Sequence, residues 1–167
     1  RLDKGTSGVI IFARTAVSHR ALSMLFESHH VRKEYHALVC GSPPWQEHTA
    51  RHLLRQDVGH SHRTVVDHVR GKSAQTHFRV LESFAGHALL QAEIETGRTH
   101  QVRAHAAALG FPLLGDVLYG APASQWINRP TLHAKSLEFE YDGQPFAFSA
   151  PYPQDFQAAL SSLQAGA

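Results

Sequence analysis

Apolar and polar positions change period several times along the chain, and each change marks an element. Ser7 to Arg14 reads Ser-Gly-Val-Ile-Ile-Phe-Ala-Arg, a continuous apolar run after a glycine that predicts a strand buried on both faces. Asp3 then stands just ahead of a core strand. From Thr15, suited to an N-cap, Val17, Ala21, Leu22, Met24 and Leu25 recur at helical intervals and predict an amphipathic helix to about His29. Lys33 to Gly41 sets Tyr35, Ala37 and Val39 against Glu34, His36 and Leu38, the alternation of a strand with one better buried face. Tyr35 falls on the packed side. Ser42-Pro43-Pro44 ends this strand, and Gln46 to Ser61 is polar, rich in His and Arg and weakly periodic, which predicts an exposed connection with room for one hairpin.

Strand patterns return at Thr64 to Val69, Ala74 to Phe84 and Ala88 to Thr96, with turns at Arg70-Gly71-Lys72 and Ala85-Gly86-His87; the expected arrangement is a meander. Gly97 breaks the pattern and Thr99 can cap a helix over His100 to Leu109, stopped by Gly110 and Pro112. Phe111 to Ala123 reads as loop, Leu132 to Tyr141 and Pro145 to Ser149 as a hairpin around Asp142-Gly143, and Pro153 to Leu163 as a closing helix. Strands in runs with three helices between or after them predict an α+β domain on a mixed, mostly antiparallel sheet.

Length and composition narrow the class. A chain of 167 residues matches one domain with a sizeable core. Its 43% hydrophobic against 18% charged residues excludes an intrinsically disordered polymer. No apolar run approaches the roughly 18 residues of a membrane span, and Arg1 to Gly5 lacks the pattern of a secretory leader. Arg1 opens the chain and Met24 is the only methionine, so the expectation is a single domain lacking its N-terminal part. One cysteine, Cys40, rules out an internal disulfide and fits a cytoplasmic protein. A net charge of +2 argues only weakly for nucleic acid, although the fourteen histidines make the surface more cationic at mildly acidic pH.

Three clusters carry chemistry: Arg1-Leu2-Asp3, Lys33-Glu34-Tyr35 and Gly97-Arg98-Thr99-His100-Gln101-Val102-Arg103. Each also has a plain structural reading. Asp3 could serve a turn, Tyr35 the core, Lys33 the surface and Leu132 the apolar interior. Arginine is disfavoured by the dipole at a helix start, so Arg98 and Arg103 there suggest a nearby anion. His60-Ser61-His62 and His29-His30 lack the converging ligands and spacing of a metal site. Neither the P-loop nor the dinucleotide-binding glycine pattern occurs.

Arg1-Leu2-Asp3-Lys4-Gly5-Thr6-Ser7-Gly8 resembles the Arg-Leu-Asp-x-x-Thr-Ser-Gly signature of the RluA-type pseudouridine synthases. The resemblance continues, in order, through Arg32-Lys33-Glu34-Tyr35, Gly97 to His105, Leu113-Leu114-Gly115-Asp116 with Tyr119-Gly120, and Leu132-His133-Ala134. It implies that family's fold, with a central RNA-binding cleft, and isomerisation of uridine to pseudouridine in structured ribosomal or transfer RNA. No cofactor and no metal are implied, and a monomer is expected. By resemblance Asp3 is the essential carboxylate and Arg103 its ion-pair partner, offsetting burial that otherwise disfavours the charged form. Tyr35 lies against the target base, Arg1 fills the space vacated by the extruded nucleotide, Arg98 sits nearer the RNA backbone, and Lys33 supports a phosphate or the loop. Leu132 lines the apolar wall. Two rivals stand beside this reading: a catalytically silent RNA-binding relative, and an unrelated hydrolase, which requires a histidine held against a nucleophile.

Overall fold

The computed structural model describes residues 1–56 and 62–166. Eight strands form one sheet: β1 Ser7–Gly8, β2 Val31–Cys40, β3 Glu47–Gln56, β4 Thr64–Val66, β5 Lys72–Phe84, β6 His87–Ile94, β7 Leu132–Tyr141 and β8 Gln144–Ser149. Helices α1 Ala16–Glu27, α2 Gln101–Ala108 and α3 Gln154–Ala165 pack around it, and Val117–Tyr119 makes a 3-10 turn. The order across the sheet is β1-β7-β2-β6-β5-β3-β4, with β8 also on β7. Among the described residues only the β1–β7 pairing is parallel. The α+β reading with a mostly antiparallel sheet therefore holds. No described helix is long and apolar enough to cross a membrane.

Alternation along the central strands builds two cores. Ala37, Val39, Phe78, Leu90 and Ala92 point one way, into a cluster with Val102 and Ala106 of α2. Leu38 and Leu89 point the other way, against Phe156, Ala159 and Leu163 of α3. On β2 the face of Val31, Lys33, Ala37 and Val39 is the better buried one, as expected; on the other face Leu38 is fully enclosed, Arg32 is exposed and Glu34, His36 and Cys40 are half-buried. Helix α1 has no buried residue; Leu22, Leu25 and Phe26 lean on a smaller cluster of Val31, Leu137 and Phe139. Thr15 caps it as expected, its hydroxyl accepting from the Ser18 amide at 3.1 Å.

Four expectations are corrected. The run after Ser7 pairs over two residues only, because β8 takes the same edge of β7 from Ser136 onward. Val9 and Ile11 turn inward while Ile10 and Phe12 are exposed, so this segment is not buried on both faces. The polar stretch after Gln46 contains β3, a ten-residue strand on β5. Its outer face hides the signal, since cross-strand pairs such as Arg79 Nε to Glu47 at 2.9 Å and Arg51 Nε to Gln75 at 2.9 Å occupy it, while Ala50 and Leu54 are buried. The remainder of that connection, with His60 and Ser61 of the His-rich motif, lies outside the described residues. Finally, β4 pairs with β3 and not with β5, so the meander covers β5 and β6 alone, and Thr99 does not cap α2.

Candidate active site

The entry to α2 replaces the expected threonine cap with a side-chain brace. His100 takes a left-handed backbone, φ +54°, without a capping side-chain bond. Gln101, buried, accepts from the Arg98 amide at 3.1 Å and the Thr96 hydroxyl at 2.7 Å, and donates to the Gln75 carbonyl at 2.8 Å. Such a brace ties the segment ahead of the helix to its first residue. It also fixes Gly97 to Thr99 as one wall of a cavity of about 300 Å³, whose lining includes Arg1, Asp3, Tyr35, Arg98 and Leu132.

Five of the seven residues singled out in the sequence therefore meet in one place. Asp3 is half-buried in the turn before β1, where its carbonyl accepts from the Thr6 amide at 3.0 Å. Tyr35 sits where β2 shifts register against β7. Burial, reinforced by the negative charge of Asp3, pushes its phenol up to about 12, so its hydroxyl keeps its proton at neutral pH and serves as a donor. Leu132 is buried at the floor. Arg98 is exposed, with Nε donating to the Ser73 carbonyl at 3.1 Å.

Lys33 lies in an adjoining cavity of about 280 Å³ between α1 and the sheet, which shares Arg1, Leu2 and Tyr35 with the first. The lysine is 8% exposed, and burial pushes its ammonium below the usual lysine range. The reading of Lys33 as a surface residue is thereby overturned.

Arg103 is elsewhere. Its Nε and Nη2 donate to the two carboxylate oxygens of Asp116 at 2.6 and 2.7 Å, both side chains buried. Tyr119 covers the guanidinium, its ring centre 4.9 Å from Cζ. The expected ion pair between Asp3 and Arg103 is not formed, and among the described residues Asp3 has no salt-bridge partner. The physical reason is local: Arg103 lies one turn inside α2 and faces the 3-10 turn that follows Asp116, whereas Arg98 precedes the helix and faces the cavity.

One residue that motif reasoning passed over is His100, which feels the charges of Asp3, Arg1, Arg103 and Asp116 together while burial, the largest influence, lowers its imidazole. Its left-handed backbone leaves no mark in the sequence pattern. The hydrolase alternative does find a serine on a histidine, Ser7 Oγ lying 2.9 Å from His133 Nδ1. But His133 is 1% exposed and its Nε2 is engaged with the Ala150 carbonyl at 3.2 Å. That pair ties β1 to β7 instead of facing a substrate.

Residues 1–108 match the family described as RNA pseudouridylate synthase. The chain is 36% identical to ribosomal large subunit pseudouridine synthase D of Zymomonas mobilis subsp. mobilis, over 98% of its own length and 55% of that protein's. It is also 36% identical to the chloroplastic RNA pseudouridine synthase 2 of Oryza sativa, over 98% of this chain and 43% of that one. The chain thus spans about half the length of these relatives. Among solved structures it superposes on human RNA pseudouridylate synthase domain containing 1 with a TM-score of 0.81 at 26% identity, covering 99% of this chain and 78% of the human one.

Proposed function

Because the chain belongs to the RNA pseudouridylate synthase family, we propose that it isomerises specific uridines of structured RNA to pseudouridine. Asp3 is the carboxylate that acts at the sugar. The reaction is atom-neutral: the N1 to C1′ bond breaks, the uracil turns, a C5 to C1′ bond forms, and C5 loses a proton as N1 gains one. What carries the reading is that Asp3 and Tyr35 share one cavity and that Tyr35 feels the Asp3 charge. A carboxylate beside the sugar can attack it or take its proton. Asp3 is only half-buried, so solvent reaches it and no buried guanidinium is required beside it.

The target must leave its stack, at a cost of a few kcal/mol. Tyr35 offers the uracil a ring face and a hydroxyl that donates, Leu132 closes the apolar side, and exposed Arg1 is free to enter the vacated stack. Exposed Arg98 holds a backbone phosphate beside that point, while buried Lys33 lies in the adjoining cavity. Arg103 supports the cavity wall from within α2 and is not the Asp3 partner. We place the protein in the cytoplasm, acting as a monomer without a nucleotide cofactor; the similarity to a large-subunit enzyme favours ribosomal over transfer RNA.

Release of tritium from RNA labelled at uridine C5 tests this. The unmodified protein should release it; Asp3→Asn should fold, bind RNA and release none. Normal turnover by Asp3→Asn sinks the mechanism, and a silent unmodified protein that still binds RNA establishes the non-catalytic rival. Binding should weaken with salt, log affinity falling by about 0.7 per log unit of salt for each single-strand phosphate contact.

A further inference from the structure

Asp3 lies ahead of a two-residue strand and makes no salt bridge among the described residues, so something else must hold its turn. The turn runs from Asp3 to Thr6, with the Thr6 amide donating to the Asp3 carbonyl at 3.0 Å and Gly5 at φ +86°. A positive φ at that position is the glycine requirement of this turn geometry. The peptide joining Gly5 to Thr6 is gripped at both ends. Its N–H closes the turn on Asp3, and its carbonyl accepts from Nη1 of Arg129 at 2.7 Å.

Arg129 is itself well anchored. Nε and Nη2 make a two-pronged pair with Asp155, in the first turn of α3, at 2.7 and 2.8 Å. Two residues on, Thr131 is fully buried and bonds the Leu114 carbonyl through both its amide and its hydroxyl. A Cβ built on Gly115 would lie 2.5 Å from the Arg129 carbonyl oxygen, so the two backbones meet without room to shift. A guanidinium can hold a carboxylate with two donors and present a third to a carbonyl at once, which an ammonium on a flexible stem does far less rigidly. Arg129 Nη2 also reaches Ser7 Oγ at 3.5 Å, the hydroxyl that lies 2.9 Å from His133 Nδ1.

We infer that Arg129 is a positioning residue for the active-site aspartate, fixing the Asp3–Thr6 turn through the Gly5 carbonyl and bracing it on α3 through Asp155. This rests on the isomerase reading for its effect on rate, but not for its effect on the turn. A shift of about 1 Å at a reacting group costs on the order of 100-fold in rate. In the full chain, Arg129→Gln should lower the single-turnover rate by about 10- to 100-fold with RNA affinity within about twofold. Arg129→Lys should recover part of that loss, since it keeps a donor but not the fork.

Hydrogen exchange supplies the readout that does not depend on activity: the Thr6 amide should exchange at least about tenfold faster in Arg129→Gln, while amides in β2 and β6 stay protected. Unchanged Thr6 exchange overturns the inference whatever the activity. So does a variant whose melting temperature falls while its rate per folded molecule stays at the unmodified value. If Arg129→Gln fails to fold, Asp155→Asn takes its place, with faster Thr6 exchange expected and unchanged exchange overturning. An unmodified protein that releases no tritium, together with faster exchange in the variant, removes the isomerase reading and leaves the positioning of the turn intact.

Discussion

Removing the charge of Asp116 tests whether Arg103 is a brace or a partner of Asp3. The two side chains are 6% and 1% exposed and joined by hydrogen bonds of 2.6 and 2.7 Å. Asp116→Asn would leave a buried guanidinium facing a neutral amide under the Tyr119 ring. Breaking a buried pair from one side costs about 3–5 kcal/mol, because the remaining charge has neither water nor counterion. At about 2–4 °C per kcal/mol for a domain of this size, melting should fall by roughly 6–20 °C. The assay is thermal unfolding followed by circular dichroism, with Arg103→Met and the double variant completing a cycle. The double variant should be more stable than either single one, since it buries no orphaned charge. Two results would refute the reasoning: Asp116→Asn melting within about 1 °C of the unmodified protein, or Arg103→Lys keeping its stability and RNA affinity while losing isomerisation. The second is what a direct Asp3 partner would show.

His105 makes stability depend on acid. It is fully buried, and desolvation, with His52 nearby, lowers its imidazole to about 4. Its Nδ1 lies 2.8 Å from the Thr76 hydroxyl, which also accepts from Gln101, and Nε2 has no partner among the described residues. Above pH 6.5 neither folded nor unfolded chain carries this proton; as pH falls from 6.5 toward 4 the unfolded chain binds it first. Stability should therefore drop by roughly 2–3 kcal/mol across that window, and urea titrations of the unmodified protein and His105→Asn should converge as pH falls; parallel curves would contradict it. Gly8→Ala should destabilise by about 3 kcal/mol: at φ +113° an added Cβ would stand 2.1 Å from the Ala134 carbonyl oxygen. Melting unchanged in that variant would mean β1 does not lie against β7 as described.

Local pattern sufficed where the physics is local. The Thr15 cap and the helical spacing behind it define α1, the two-residue period defines β5, β6 and β7, and Asp142-Gly143 turns β7 into β8 with Asp142 at φ +52° and Gly143 at φ +69°. The motif resemblance likewise put forward Asp3 and Tyr35, which the fold brings to one cavity. Local pattern failed at β3, where the strand's polar face is covered by cross-strand pairs that no single segment can reveal.

The amino-acid order alone thus determined most of the elements, the Thr15 cap, the Asp142-Gly143 turn and the types of residue available for reaction. Only the folded molecule decided which of two arginines five positions apart turns to the cavity, that β8 occupies the edge on which β1 would have continued, and that Arg129 grips a peptide 124 positions away in the chain. Those choices depend on which surfaces meet across long stretches of chain. A charge's partner is set by the three-dimensional distance and burial it finds there, and neither quantity is written in the spacing of neighbouring residues.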